Sequence, residues 1–215
     1  ADVNTAAKRI AWAKYFNAGQ TCISPDHALV HADVMAPFLA AFAKHVRGFF
    51  GEDPKRSPHF ARLINAKRFN TVKGYLQHGR IHLGGQHDEA ERYIAPSVIT
   101  DVSLNSPPMR EEVFGPLLPV IPWKEKEEVL AIVRRNPFPL SAYVFTSNNA
   151  TARFFTERIP FGGGCVNHCM LHFGNPDLPF GGVGNSGMGR YHGRNSFDVF
   201  SHRKGIVTSS TLIDP

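Results

Sequence analysis

The sequence predicts an α/β domain built on a largely parallel sheet. Three observations carry that prediction. Strand-like and helix-like apolar patterns alternate through the middle of the chain, which is the signature of strands joined by helical crossovers. The 215 residues, 42 % hydrophobic with 17 Phe, are enough to bury roughly 70–75 % of the unfolded surface, so the fold needs no disulfide staples. From Phe173 to Gly193 the alternation gives way to a Gly- and Pro-rich stretch, which predicts a loop region ahead of a C-terminal appendage.

The elements follow in order. A first helix is capped by Asp2 or Asn4; Ala7, Ala11 and Tyr15 line one face and Ile10, Ala13 and Asn17 another, so it is buried on several sides and ends at Gly19. Cys22 falls in a short loop, and Pro25 blocks a return to helix. Ala28–His31 reads as a strand, Val34–Phe50 as a helix, 51–58 as a loop, and Phe60–His78 as a third helix. Ile81–Leu83 is a strand closed by Gly84-Gly85, and Tyr93–Val102 a longer, imperfectly alternating one. Ser106-Pro107-Pro108 opens a turn, with a helical turn at Met109–Val113. Leu117–Ile121 is a buried strand, Lys124–Asn136 a helix stopped by Pro137, Ala142–Thr146 a strand, Ala150–Arg158 a helix, and Cys165–His168 a strand. A last apolar run, Gly205–Thr208, reads as an isolated strand that must pair with something.

Several function classes are disfavoured. The apolar stretches, such as Pro116–Pro122, are far shorter than the roughly 20 residues of a membrane span. The opening residues lack a basic-then-apolar leader, which predicts no secretory signal. Three cysteines suit a reducing, cytoplasmic setting better than a disulfide framework. The net charge of +6 is spread among acids, as in Lys124-Glu125-Lys126-Glu127-Glu128, and reads as solvated surface rather than a nucleic-acid footprint.

Candidate chemistry is read motif by motif. Cys22, after Phe16-Asn17-Ala18-Gly19-Gln20-Thr21, is either an inert buried thiol or a nucleophile on a loop held by rigid neighbours. Cys165, His168, Cys169 and His172 carry zinc-type donors, but their spacing converges only on a helix, and Gly162-Gly163-Gly164 favours a strand on which they diverge. Gly182-Val183-Gly184-Asn185-Ser186-Gly187 matches G-x-G-x-x-G without the strand, helix and later acid of a dinucleotide fold, so its glycines read as close-approach positions. Glu111-Glu112 before Val113-Phe114-Gly115-Pro116 is either a solvated turn or a carboxylate and ring offered to a ligand. A histidine such as His192 paired with Cys22 would make a cofactor-independent cysteine hydrolase, and a basic interaction module is a third class.

Taken together, the motifs resemble those of the aldehyde dehydrogenase superfamily. Phe16–Cys22 resembles its catalytic-cysteine motif, Glu111–Pro116 its E-E-[IV]-F-G-P motif, and Pro179–Gly189 its C-terminal P-F-G-G-x-x-x-S-G-x-G loop. With Arg190-Tyr191-His192-Gly193 and Phe200-Ser201-His202, the pattern is most similar to the class-three and coniferyl-aldehyde-dehydrogenase branch. The resemblance implies that Cys22 is the nucleophile, attacking the aldehyde to give a thiohemiacetal and then a thioester, with its backbone N–H donating to the oxyanion. It implies that Glu112 hydrogen-bonds the nicotinamide ribose of NAD or NADP, that Phe114 packs near the nicotinamide, and that Phe173 and Phe180 line a tunnel for a hydrophobic, aromatic-compatible aldehyde. It implies a catalytic domain over residues 1–192 and a C-terminal arm over residues 193–215 whose strand serves a homodimer. In the family the nucleotide-binding domain, the general-base glutamate and the oxyanion asparagine precede the cysteine; neither Asn4 nor Asn17 sits in the matching motif. The expectation is therefore a catalytic-domain fragment that neither binds NAD well nor oxidises aldehydes by itself.

Overall fold

The computed structural model describes residues 1–212. Helix α1 (Val3–Tyr15) starts where the Asp2 carboxylate accepts the Thr5 N–H at 2.6 Å, satisfying one of the orphan donors of a first turn. Strand β1 (Ala28–His31) leads through a short 3₁₀ turn into helix α2 (Met35–Phe50), which Gly51 closes at φ 78°. Helix α2 buries Phe38, Leu39, Phe42 and Val46, the i, i+4, i+8 row of one helical face. It lies against α1, whose fully buried Ala7 and Ala11 let the two helices approach closely.

Helix α3 (Ala66–Tyr75) is shorter than its apolar pattern predicts. The Asn65 side chain accepts the Arg68 N–H at 2.8 Å and fixes the start there. Upstream, Phe60 and Leu63 are buried in different clusters, and the Leu63 N–H donates to the Arg92 carbonyl, so that segment runs extended. Strand β2 (Arg80–Leu83) and the short pair β3 (His87–Asp88) and β4 (Tyr93–Ile94) follow. The long strand expected at Tyr93–Val102 is two: Pro96, with no N–H to give a ladder, separates β4 from β5 (Ser97–Thr100).

Strand β6 (Leu117–Trp123) completes a four-stranded sheet in the order β1-β6-β5-β2. Both β1 and β5 run parallel to β6, and β2 is antiparallel at the edge. Strand β6 serves its neighbours in turn. Residues 117–119 pair with β5 and residues 120–123 with β1, so Pro119 falls at the handover. Period-two alternation sorts the side chains. Val98, Leu118 and Val120 face α1 and α2, whereas Ile99, Leu117 and Ile121 face α3. The sheet thus has a helical layer on each face.

The remaining elements form a smaller unit: α4 (Lys126–Val133), β7 (Ser141–Val144), α5 (Asn149–Arg158) and β8 (Gly163–Val166), with β7 parallel to β8 in a two-stranded sheet. Short helices α6 (Leu171–Gly174) and α7 (Gly193–Val199) follow. The strand expected at Gly205–Thr208 does not form. Residues 201–210 carry no regular structure and are exposed, and among the described residues none pairs with them in a ladder. Among the described residues no helix is long and apolar enough to cross a membrane.

Leu118 is fully buried where β6 meets the α1–α2 layer. Leu118→Ala should lower unfolding free energy by about 2–5 kcal/mol, measured by urea denaturation; a loss below about 1 kcal/mol would show that this layer is loosely packed.

Candidate active site

Helix α1 ends earlier than its sequence suggests. It stops at Tyr15, and Asn17, Ala18 and Gly19 take left-handed conformations at φ 50°, 52° and 74°. Gly19 adopts this at little cost, whereas a β-carbon there would overlap the carbonyl oxygen of Gly115. The turn is tied down by Gln20: its amide NH₂ donates to the Arg62 carbonyl at 3.0 Å and its oxygen accepts the Ile64 N–H at 2.9 Å. Beyond the turn, the Tyr143 hydroxyl donates to the Ile23 carbonyl at 2.8 Å, and the Ser24 hydroxyl to the Lys14 carbonyl at 3.2 Å. Cys22 is therefore an exposed thiol between two anchored residues, not the inert buried thiol of a core.

The Gly19–Gly115 contact brings the second motif to the first. Asp26, four residues past Cys22, strengthens the junction by accepting the Val113 N–H at 2.8 Å. On the far side, one guanidinium holds three successive carbonyls: Arg68 donates to Glu112 at 2.6 Å, Val113 at 2.5 Å and Phe114 at 3.2 Å. These bonds hold Phe114 at φ 39°, a backbone state that a phenylalanine rarely adopts. The two adjacent acids have different fates. Glu111 accepts the Tyr75 hydroxyl at 2.8 Å, whereas the Glu112 carboxylate is exposed and, among the described residues, engaged by no hydrogen bond or ion pair.

A charge web lies beneath. Lys14 is 1 % exposed on an otherwise alanine-rich face of α1. Burial brings its ammonium down to about 8, against the pull of Asp26 and Glu112. Burial also acts to raise Asp26, but the His27 hydrogen bond, Lys14 and the Val113 N–H together hold that carboxyl below its ordinary value. Glu112 is raised by desolvation and by Asp26, against Arg68 and Lys14.

Phe173 and Phe180 meet edge to face with centroids 5.0 Å apart. Phe180 pairs its backbone with Tyr191, two hydrogen bonds of 2.9 Å each. The His192 ring packs on Phe173, Phe180 and Tyr191, and among the described residues its buried Nδ1 meets no hydrogen-bond partner. Among the described residues no hydrogen bond joins Cys22 to a histidine, so the geometry gives the hydrolase pairing of Cys22 with His192 no support. The expectation that the Cys165–His172 side chains diverge is corrected. Met170, left-handed at φ 65°, turns the chain so that His172 Nδ1 returns to 3.7 Å from Cys165 Sγ.

A family model described as the aldehyde dehydrogenase family matches residues 1–206. The chain belongs to that family. It is 42 % identical to a 4,4'-diaponeurosporen-aldehyde dehydrogenase of Staphylococcus aureus, covering all of this chain and 47 % of that protein. It is 44 % identical to mouse aldehyde dehydrogenase family 3 member B2, covering 97 % and 44 %, in keeping with the class-three resemblance. Among solved structures, the substrate-bound Staphylococcus aureus AldH superposes with a TM-score of 0.94 at 40 % identity, over all of this chain and 47 % of that one. A Mycobacterium tuberculosis aldehyde dehydrogenase complexed with NAD+ superposes with a TM-score of 0.81 at 28 % identity, over 94 % and 43 %. The chain thus spans just under half the length of these family members.

The structure adds residues that motif reading passed over: Asp26, Arg68 and Tyr143, which position the two loops together with Gln20 of the cysteine motif, and Lys14 beneath them. Only Lys14 left a trace in the sequence, as a lysine among the buried alanines of a helix.

Two outcomes test this junction. Gly19→Ala, which drives a β-carbon into the Gly115 carbonyl, should destabilise the protein by more than about 2 kcal/mol, seen as a lowered urea midpoint. Lys14 gives a pH signature. Between about 8 and the ordinary lysine value of 10.5, the unfolded chain holds more protons than the folded one, so stability from this group rises with pH across that window. Relative to Lys14→Met, the wild-type protein should gain on the order of 3 kcal/mol over it; a pH-independent difference in Tm would mean that Lys14 keeps an ordinary ammonium.

Proposed function

We propose that this chain supplies the cysteine-bearing half of an NAD(P)-dependent aldehyde dehydrogenase that oxidises a hydrophobic aldehyde to the acid, with Cys22 as nucleophile. The observation that carries the reading is the Gly19–Gly115 junction, which sets an exposed thiol loop against a loop offering one unengaged carboxylate and one half-exposed ring. Glu112 suits the hydroxyls of a nicotinamide ribose because, unlike Glu111, its carboxylate is free to accept them. Phe114 suits the nicotinamide face because Arg68 fixes its backbone. When bound, the dinucleotide supplies the hydride acceptor that the oxidation requires.

The chain's own part is covalent. The Cys22 sulfur adds to the aldehyde carbon as the thiol proton leaves, and the new oxyanion takes a hydrogen bond from the Cys22 N–H. After oxidation the acyl group stays on that sulfur, until water attacks the thioester, releases the acid and restores the thiol. Phe173 and Phe180 suit the apolar wall along which the aldehyde reaches Cys22. This aromatic pair connects to the thiol loop through His172 and Tyr143. The reading takes residues 1–192 as the catalytic domain. Exposed Phe197, Val199, Phe200, Ile206 and Val207 suit burial of the 193–215 arm against a second copy. Three unpaired cysteines suit a cytoplasmic setting.

The test is aldehyde-dependent NAD(P)H formation. The 215-residue chain alone should form none, and a polypeptide extended to the length of its relatives should form it. In the extended protein Cys22→Ser should lower turnover by about a thousandfold or more, and Glu112→Gln should raise the dinucleotide KM by roughly tenfold to a hundredfold. Ester hydrolysis without dinucleotide, lost with His192→Ala and kept with Glu112→Ala, would replace this reading by a cysteine hydrolase.

A further inference from the structure

A second arrangement of nucleophile, base and hydroxyl lies in the smaller unit. Cys165 on β8 is partly buried, with its Sγ 3.7 Å from His172 Nδ1. The other ring nitrogen, His172 Nε2, lies 3.1 Å from the hydroxyl of Ser141, the first residue of β7. Two adjacent parallel strands and the α6 turn therefore hold thiol, imidazole and hydroxyl in one line.

The ring is tightly seated. His172 is buried, with Tyr143 and Phe180 each 5.9 Å away centroid to centroid. A β-carbon on Gly163 would come within 2.9 Å of His172 Cδ2, so glycine leaves the ring its place. Burial also depresses the imidazole below its ordinary value, so at neutral pH it is uncharged. The tautomer that accepts the thiol proton on Nδ1 donates from Nε2 to Ser141, which satisfies both nitrogens. Among the described residues nearby Cys169 has no such base: it is fully buried, and burial pushes its thiol far above the ordinary range.

We propose that Cys165, His172 and Ser141 form a peroxide-responsive thiol site, distinct from Cys22, at which Cys165 is oxidised to a sulfenic acid. The Cys165 sulfur attacks one oxygen of a hydroperoxide while His172 Nδ1 takes the thiol proton. The O–O bond breaks, and the departing oxygen collects that proton to leave as water or an alcohol. Sulfur is oxidised by two electrons and the hydroperoxide is reduced by two, so the step needs no other partner. Ser141 is a positioning residue that holds the ring in the tautomer able to accept the proton.

The experiment is trapping with dimedone during exposure to hydrogen peroxide, with adduct at each cysteine read by peptide mass spectrometry. It uses the purified protein and its Cys22→Ser variant. Cys165 should be labelled at least about tenfold faster than Cys169, and to the same extent in both proteins, which separates this site from the Cys22 reading. His172→Gln should slow Cys165 labelling by about tenfold or more. Ser141→Ala should slow it as well, and Ser141→Thr should restore it. If His172→Gln unfolds the protein, the two Ser141 variants decide. Labelling of Cys165 no faster than Cys169, or a Cys165 rate indifferent to Ser141→Ala, would overturn the proposal.

Discussion

The backbone contact between Gly19 and Gly115 is the constraint on which the rest of the site depends. Two glycines nearly a hundred residues apart touch where any side chain on the first would strike the carbonyl of the second. The contact needs a left-handed turn after α1, and that turn is what lifts Cys22 out of the core. It also sets where the Glu112–Phe114 loop ends, because Gly115 is joined to β6 by Pro116 alone, and the Pro116 carbonyl accepts the Ser97 N–H of β5. The thiol loop and the carboxylate loop are thus positioned by one point of main-chain contact, reinforced by the Asp26 carboxylate and the Arg68 guanidinium.

The charged groups below this contact are arranged for position more than for stability. A buried lysine loses more hydration than a single carboxylate returns, so Lys14 weakens the fold at neutral pH even with Asp26 and Glu112 nearby. The arginine is a different case. Its planar fork satisfies three carbonyls that have no ladder to join, and an ammonium has no comparable geometry. The loop carrying Phe114 therefore keeps an unfavourable backbone state through hydrogen bonding rather than through packing.

Much of the fold was legible in the sequence because period and punctuation agree. The run Ala28–His31 is a strand with those bounds, and the alternation of strands and helices does build a mostly parallel sheet. What the pattern could not show was tertiary. Phe60 and Leu63 continue the apolar spacing of α3 but serve two different cores, so the helix begins at Ala66. The apolar run Gly205–Thr208 has strand composition, yet composition supplies no partner edge. Of the site, the residues that display chemistry stood out as motifs. Those that hold them mostly did not, since Arg68 and Tyr143 look like ordinary residues until their distant carbonyls are in view, and Gln20 was visible only as part of the cysteine motif. Cys165 and His172 were legible as residue types but not as a pair, because a single left-handed methionine decides whether they meet.

The anchoring of Ile23 and Ser24 has a mechanical consequence. Ser24 is fastened to the end of α1, which packs on the main sheet, while Ile23 is fastened by Tyr143, which belongs to the separate two-stranded sheet. Cys22 therefore sits on a seam, and its coordinates are a weighted average of two bodies. Relative movement of the two sheets would therefore shift the sulfur by part of its amplitude. The position of this thiol thus depends on two separate sheets: losing the Tyr143–Ile23 hydrogen bond would free one side of the loop without unpairing any strand.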